Sequence, residues 1–179
     1  MTKKEEIIIP LSEAREQVAI ACTRIALLHL AFSKILVEEL GVEKGKELIL
    51  KSIMEYGKRV GERIKRVLPD LPKYGIIGKQ LDGKFYDCIF AKTFREYREL
   101  NLGCIYCYID AAKYMAQGPF HKLVHGYCAA CGDEYCTFIT ATTSKKERSD
   151  FKFKKLNWKS VDQRLAQGFN GRKKLHLKN

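Results

Sequence analysis

The chain lacks a run of apolar residues long enough to cross a bilayer. Its longest, Ile25 to Phe32, is broken by His29 and is far shorter than the roughly 20 residues a spanning helix needs. It also lacks an apolar segment behind its polar start, Met1-Thr2-Lys3-Lys4-Glu5-Glu6, so no secretion signal is read there. No internal repeat, low-complexity tract, ATPase motif or DNA-binding module is present. These absences point to a cytoplasmic protein without a membrane partner. In that compartment thiols stay reduced, which argues against a disulfide framework.

What is abundant is cysteine in one region. Five of the seven cysteines fall between Cys104 and Cys136, and Cys88 lies just upstream. Reduced thiols at this density suggest a metal centre or thiolate chemistry. Cys22 stands apart and reads as a small buried apolar residue.

The length of 179 residues fits one ordinary domain with an appendage. The charge of +12 is unevenly spread. Twelve Lys/Arg and three Asp/Glu lie after residue 143, leaving the tail at +9 and the rest of the chain at +3. The expected organisation is therefore an α+β domain over residues 1–143 and a basic C-terminal extension over 144–179, partly helical. The extension reads either as a solvated tail or as an arm for nucleic acid. Its basic residues are spread out, which favours the solvated tail.

Ser12 followed by Glu13 suggests a helix start, with Ser12 as N-cap. Val18, Ala21, Ile25, Leu28, Phe32, Ile35 and Leu36 recur at helical spacing as far as Leu40, and Gly41 ends the helix. A second helix is expected from Val42 to Val67, with Leu48, Ile49, Ile53, Tyr56, Val60, Ile64 and Val67 as its stripe. Gly45, Gly57 and Gly61 weaken it or admit another helix closely. The two form a long hairpin whose shared apolar face is core or a homodimer surface.

A loop follows from Pro69 to Asp82, then a short strand from Phe85 to Phe90 and a helix from Ala91 to about Leu100. Another helix should cover Ile109 to Gln117, closed by Gly118-Pro119. Phe120–Cys128 and Tyr135–Thr142 read as strands around a turn at Gly132-Asp133. Asn157–Gln167 reads as a last helix, with Trp158, Val161 and Leu165 on one face. The fold class is thus a long N-terminal helical hairpin beside a small antiparallel sheet with short helices.

Four ligands can be chosen from the six clustered cysteines in two ways. Cys104/Cys107 and Cys128/Cys131 are two CxxC pairs separated by 20 residues, a zinc-ribbon-like spacing. Alternatively, a hairpin turn centred on Gly132 sets Cys128 and Cys136 opposite each other on one face, with further thiols supplied from elsewhere. A redox CxxC is disfavoured because no βαβ unit precedes either pair. His121 and His125 share a strand face. Each could join a metal site or move protons, although a half-exposed strand histidine is the plainer reading. His29, among apolar residues, reads as a satisfied core histidine.

Cys88-Ile89-Phe90-Ala91-Lys92-Thr93-Phe94-Arg95-Glu96 resembles a motif of the L-2-amino-thiazoline-4-carboxylate hydrolase family. Tyr106-Cys107-Tyr108-Ile109-Asp110 and Gly132-Asp133-Glu134-Tyr135-Cys136-Thr137-Phe138 resemble two more, and Glu55-Tyr56-Gly57 after Gly45-Lys46-Glu47-Leu48 is similar. The C-terminal part also resembles 4-vinyl-reductase-type small-molecule-binding domains, which carry a hairpin zinc site. The resemblances cover residues 20 to 142. They imply a metal set of Cys88, Cys107, Cys128 and Cys136, holding zinc, or iron in an anaerobe. Cys104 and Cys131 are extra to both patterns. Four thiolates make a closed, electron-rich centre of the structural kind.

The hydrolase resemblance implies opening of a C–N bond in a small cyclic amidine or amide. Such chemistry needs an acid/base group and an anchor for the substrate carboxylate. Asp110 is the candidate base, with a helix N-cap or first-turn carboxylate as the plainer alternative. Arg95 and Lys92 are the candidate anchor, with a solvated helix face as theirs. The binding-domain resemblance implies instead a non-enzymatic small-molecule binder.

Overall fold

The computed structural model describes residues 9–67 and 79–169. Residues 69–78 of the loop expected from Pro69 to Asp82, and the last ten residues of the basic extension, lie outside them, and the end of that loop is instead strand Lys79–Leu81. The architecture is α+β, as the sequence implies. Helix α1 (Leu11–Leu40) and helix α2 (Val42–Val67) form the hairpin, separated by Gly41 at φ +78°. That left-handed conformation suits glycine. Helix α1 starts one residue before the expected N-cap. Pro10 precedes it without a side-chain cap, and Ser12 sits in the first turn.

Strands β1 (Lys79–Leu81) and β2 (Lys84–Tyr86) make a tight antiparallel hairpin around Asp82-Gly83. The strand expected to reach Phe90 thus stops at Tyr86, and helix α3 (Ile89–Glu96) begins directly after Cys88. A single turn, α4 (Leu100–Gly103), leads into a 3-10 segment, Cys104–Tyr108, and then into helix α5 (Ile109–Gln117), at the expected bounds. Strands β3 (His121–Tyr127) and β4 (Thr137–Thr142) pair antiparallel from His121–Thr142 to Tyr127–Thr137, with a bulge at Gly126.

Residues 144–169, read from the sequence as the start of a basic extension, are built into the body. Helix α6 (Lys145–Lys152) opens with a capping box in which Ser144 and Glu147 satisfy each other's backbone N–H. The helix expected over Asn157–Gln167 is instead a 3-10 turn, Trp158–Ser160, and helix α7 (Gln163–Phe169), which buries Leu165 and Phe169. Asp162 divides them, because its carboxylate turns back to cap the Leu165 N–H at 3.0 Å.

Helix α2 is the hub, packed on α1 along one side and on α5 along the other. Two glycines permit the α5 contact. A Cβ on Gly57 would stand 2.8 Å from the Ala112 Cβ, and one on Gly61 would collide with the Lys113 carbonyl. Close approach of another helix was one of the two readings of these positions.

Helix α1 is apolar on more than one side, so its pattern alone does not choose the inner face. The face turned to the body carries Cys22, Ala26, His29, Leu30 and Ser33. These are mostly small residues, which let α1 approach α2 and α3 closely. The His29 imidazole is satisfied by the Leu102 carbonyl at 3.0 Å, and burial lowers its pKa. The expected stripe through Ile25 and Phe32 points outward instead. By length and composition α1 could cross a membrane, with an 18-residue window of mean hydropathy 1.7, of which 28% is buried in the protein. The sequence criterion of an unbroken apolar run overlooked it.

Candidate metal centre

The six clustered cysteines converge from four segments. Cys88 precedes α3, Cys104 and Cys107 lie on the 3-10 segment before α5, Cys128 and Cys131 follow β3, and Cys136 precedes β4. The thiols are neighbours in a run from Cys88 to Cys136 to Cys128 to Cys107, each near enough to shift the next one's acidity. A branch leads from Cys128 through Cys131 to Cys104. Cys128 and Cys136 lie just beyond the last β3–β4 pair.

Among the described residues, the donor group compact enough to hold one ion has a different membership. The ligand atoms of Cys107, His125 and Cys128 all lie within 4.8 Å of one another. Cys88 and Cys136 extend the run beyond that triplet. His125 is buried, whereas His121, four residues earlier, is exposed. The imidazole is held by Asp162, whose Oδ2 accepts both the His125 Nδ1–H and the His125 backbone N–H at 2.8 Å. This contact places a proton on Nδ1 and leaves Nε2, 3.8 Å from Asp110 Oδ2, as the ring nitrogen that could join the sulfur donors. A carboxylate behind a histidine in this way fixes its tautomer for metal binding.

The loop carrying Cys128 is braced from several directions. Cys128 to Asp133 folds into a 3-10 turn closed by Gly132 at φ +90°, and the Ala129 N–H donates to the Cys136 sulfur at 3.2 Å. Asp133 accepts the Cys128 N–H at 2.6 Å and is held by Arg164 through two contacts of 2.7 and 2.8 Å. Arg95 donates to the Ala129 and Asp133 carbonyls at 3.0 and 2.8 Å.

Hydrogen bonding to Cys128, followed by burial, pushes the Cys107 thiol well up. Hydrogen bonding to Cys136, followed by burial, does the same to Cys88. Burial favours neutral His125, but Asp162 and the neighbouring acidic groups outweigh it and raise the pKa to about 9. A bound cation would reverse this by making the thiolate forms favourable and taking the Nε2 lone pair. Buried sulfur and imidazole donors around one point fit a metal ion.

A cavity of about 150 Å³ lies against this cluster. Cys107, His125, Cys88 and Cys136 form its polar wall with Asp110 and Lys113, and Phe85, Phe90 and Phe138 form its apolar wall. Asp110 lies in the first turn of α5, with one oxygen 3.8 Å from His125 Nε2 and the other 2.9 Å from Lys113 Nζ. It is thus a first-turn carboxylate that also faces the site. Arg95 and Lys92 do not line the cavity. Arg95 is engaged by backbone carbonyls, and Lys92 is exposed on α3.

Asp162, Lys113 and Arg164 were not singled out from the sequence. Asp162 and Arg164 lie in the segment read as a basic extension, and no spacing rule connects either to the cysteines. No family model, no curated protein and no solved structure matches the chain.

Proposed function

We propose that the protein is a metal-dependent hydrolase acting on a C–N bond of a small cyclic amidine or amide, of the 2-amino-thiazoline-4-carboxylate type. The reading is carried by one observation: Cys107, Cys128 and His125 converge beside a cavity that is also lined by a carboxylate, Asp110. The donor set suits zinc, or iron in an anaerobe, and two thiolates with one imidazole leave a coordination position open. Such an ion supplies Lewis-acid activation of water or of the substrate. Asp110 takes the proton of the attacking water and returns it to the leaving nitrogen. Lys113, paired with Asp110 at 2.9 Å, fills the anchoring role expected of Arg95 and Lys92, and draws the substrate carboxylate to the same wall.

The test is turnover of 2-amino-thiazoline-4-carboxylate and related cyclic amides by metal-loaded protein, followed by chromatography of the products. Asp110→Asn should retain the metal and lose about 10²-fold or more in turnover. A metal-loaded wild type inert toward every member of the panel sinks the hydrolase reading.

One observation favours a second reading. The sulfur run brings Cys88 and Cys136 to Cys128 and Cys107, so four thiolates could close around an ion. The centre would then be a structural staple in a non-enzymatic, 4-vinyl-reductase-like small-molecule-binding protein. X-ray absorption distinguishes four sulfur ligands from two sulfurs and one nitrogen. Nucleic acid is the weaker partner. Lys146, Lys159 and Arg164 of the basic segment are occupied by Asp150, Glu47 and Asp133.

A further inference from the structure

Helix α1 has two apolar faces, and only one is covered among the described residues. Cys22, Ala26, His29, Leu30 and Ser33 dock on the body. The other face carries Val18, Ala21, Ile25, Leu28, Phe32 and Ile35. The steps between them are three, four, three, four and three residues, and Leu11 and Ala14 continue the pattern toward the N-terminus. This is a 3.5-residue period, the seam of a left-handed coiled coil. These side chains are open to solvent: Phe32 is 64% exposed, Leu28 and Ile35 57% each, and Val18 44%. From Leu11 to Ile35 the seam runs about 36 Å at 1.5 Å per residue. A groove of about 380 Å³ between α1 and α2, walled in part by Ile25, Phe32 and Tyr56, runs beside it.

We infer that this face binds a second copy of the chain through an antiparallel α1–α1 coiled coil centred near Ala31. The charges select both occupant and direction. Arg24 and Glu38 lie on the same edge of the seam, two heptads apart, and neither makes an ion pair among the described residues. Antiparallel pairing sets Ile25 against the second copy's Ile35 and Phe32 against its Leu28. It also brings Arg24 opposite the second copy's Glu38, twice by symmetry, with the small Ala31 near the axis. Parallel pairing would instead set Arg24 against His29, which is buried in its own body. A lipid surface is a poorer occupant. Helix α1 carries Arg15, Arg24 and Lys34 against Glu13, Glu16, Glu38 and Glu39, so it has no cationic band for anionic headgroups.

Sedimentation equilibrium of the full chain at micromolar concentration tests this. The wild type should be a dimer. Arg24→Glu and Glu38→Arg should each weaken it by about tenfold, since each turns two attractions into repulsions. The double variant should regain wild-type affinity, because the swapped charges face each other again. Leu28→Asp, at an exposed position, should be a folded monomer. A monomeric wild type at tens of micromolar, or a double variant no tighter than the singles, overturns the inference. So does co-flotation of monomeric protein with phosphatidylserine vesicles.

Discussion

Replacing Asp162 by Asn tests the proposed metal centre through a residue outside its donor group of Cys107, His125 and Cys128. Asp162 is 1% exposed and accepts three hydrogen bonds, from His125 Nδ1–H, the His125 N–H and the Leu165 N–H. Asparagine keeps the size and one carbonyl acceptor but loses the charge that makes His125 a strong donor. Loss of a carboxylate behind a ligating histidine costs about 10- to 100-fold in metal affinity, or roughly 1.4–2.7 kcal/mol. The accompanying cost to the fold is about 1–3 kcal/mol for the impaired buried contacts. That is less than the roughly 5–15 kcal/mol stabilising an ordinary domain, so the variant should fold. The assay is competition for zinc with a chromophoric chelator, with near-ultraviolet circular dichroism as the check on folding. Asp162→Asn should raise the zinc Kd by 10- to 100-fold with an unchanged spectrum. A Kd within about twofold of wild type would refute the reasoning, because a change this far below the expected cost means that His125 is not a ligand.

Cys104→Ala separates the two ligand sets. Metal stoichiometry should be unchanged, and loss of the metal would restore the double CxxC set. Gly61→Ala sets local propensity against packing. Alanine favours the helix by about 1 kcal/mol, but its methyl meets the Lys113 carbonyl, which is backbone and cannot swing aside. The net should be destabilising by about 1–3 kcal/mol, and a urea midpoint at or above wild type would contradict the close approach. Glu147 gives a pH signature. Burial raises its pKa, but the Lys122 ammonium at 2.6 Å and the Ser144 N–H more than offset this and hold it below the ordinary value. Its contribution is present above the unfolded carboxylate pKa and is lost as pH falls through the lower folded value. Glu147→Gln should lower stability at pH 7 by about 0.5–1 kcal/mol after allowing for solvent screening, and by much less at pH 3. An equal loss at both pH values would place the effect in the cap rather than the charge.

The elements with strong local signals were legible. Gly41, followed by a new apolar pattern, marks the α1–α2 turn, and the bounds of α5 follow from its pattern and from Gly118-Pro119. The alternation on either side of Gly132 marks the β3–β4 hairpin. Less legible were boundaries set by side chains reaching across the fold. Asp162 interrupts the expected last helix because its carboxylate serves His125 and the Leu165 N–H together. The inner face of α1 was also hidden. A helix apolar on two sides carries two competing stripes, and only the body it packs against selects one.

By itself the sequence determined that the chain has a cysteine cluster beside a small hairpin, next to a long helical pair. Cysteine density, turn residues and apolar periodicity are local quantities and can be counted along a chain. The tertiary structure alone decided which donors meet. It brought His125 to Cys107 and Cys128, set Asp162 behind it, and left Cys104 and Cys131 as a branch of the thiol run. Those choices depend on contacts between residues as distant as His125 and Asp162, 37 positions apart, and further, where spacing carries no information and packing brings the groups together.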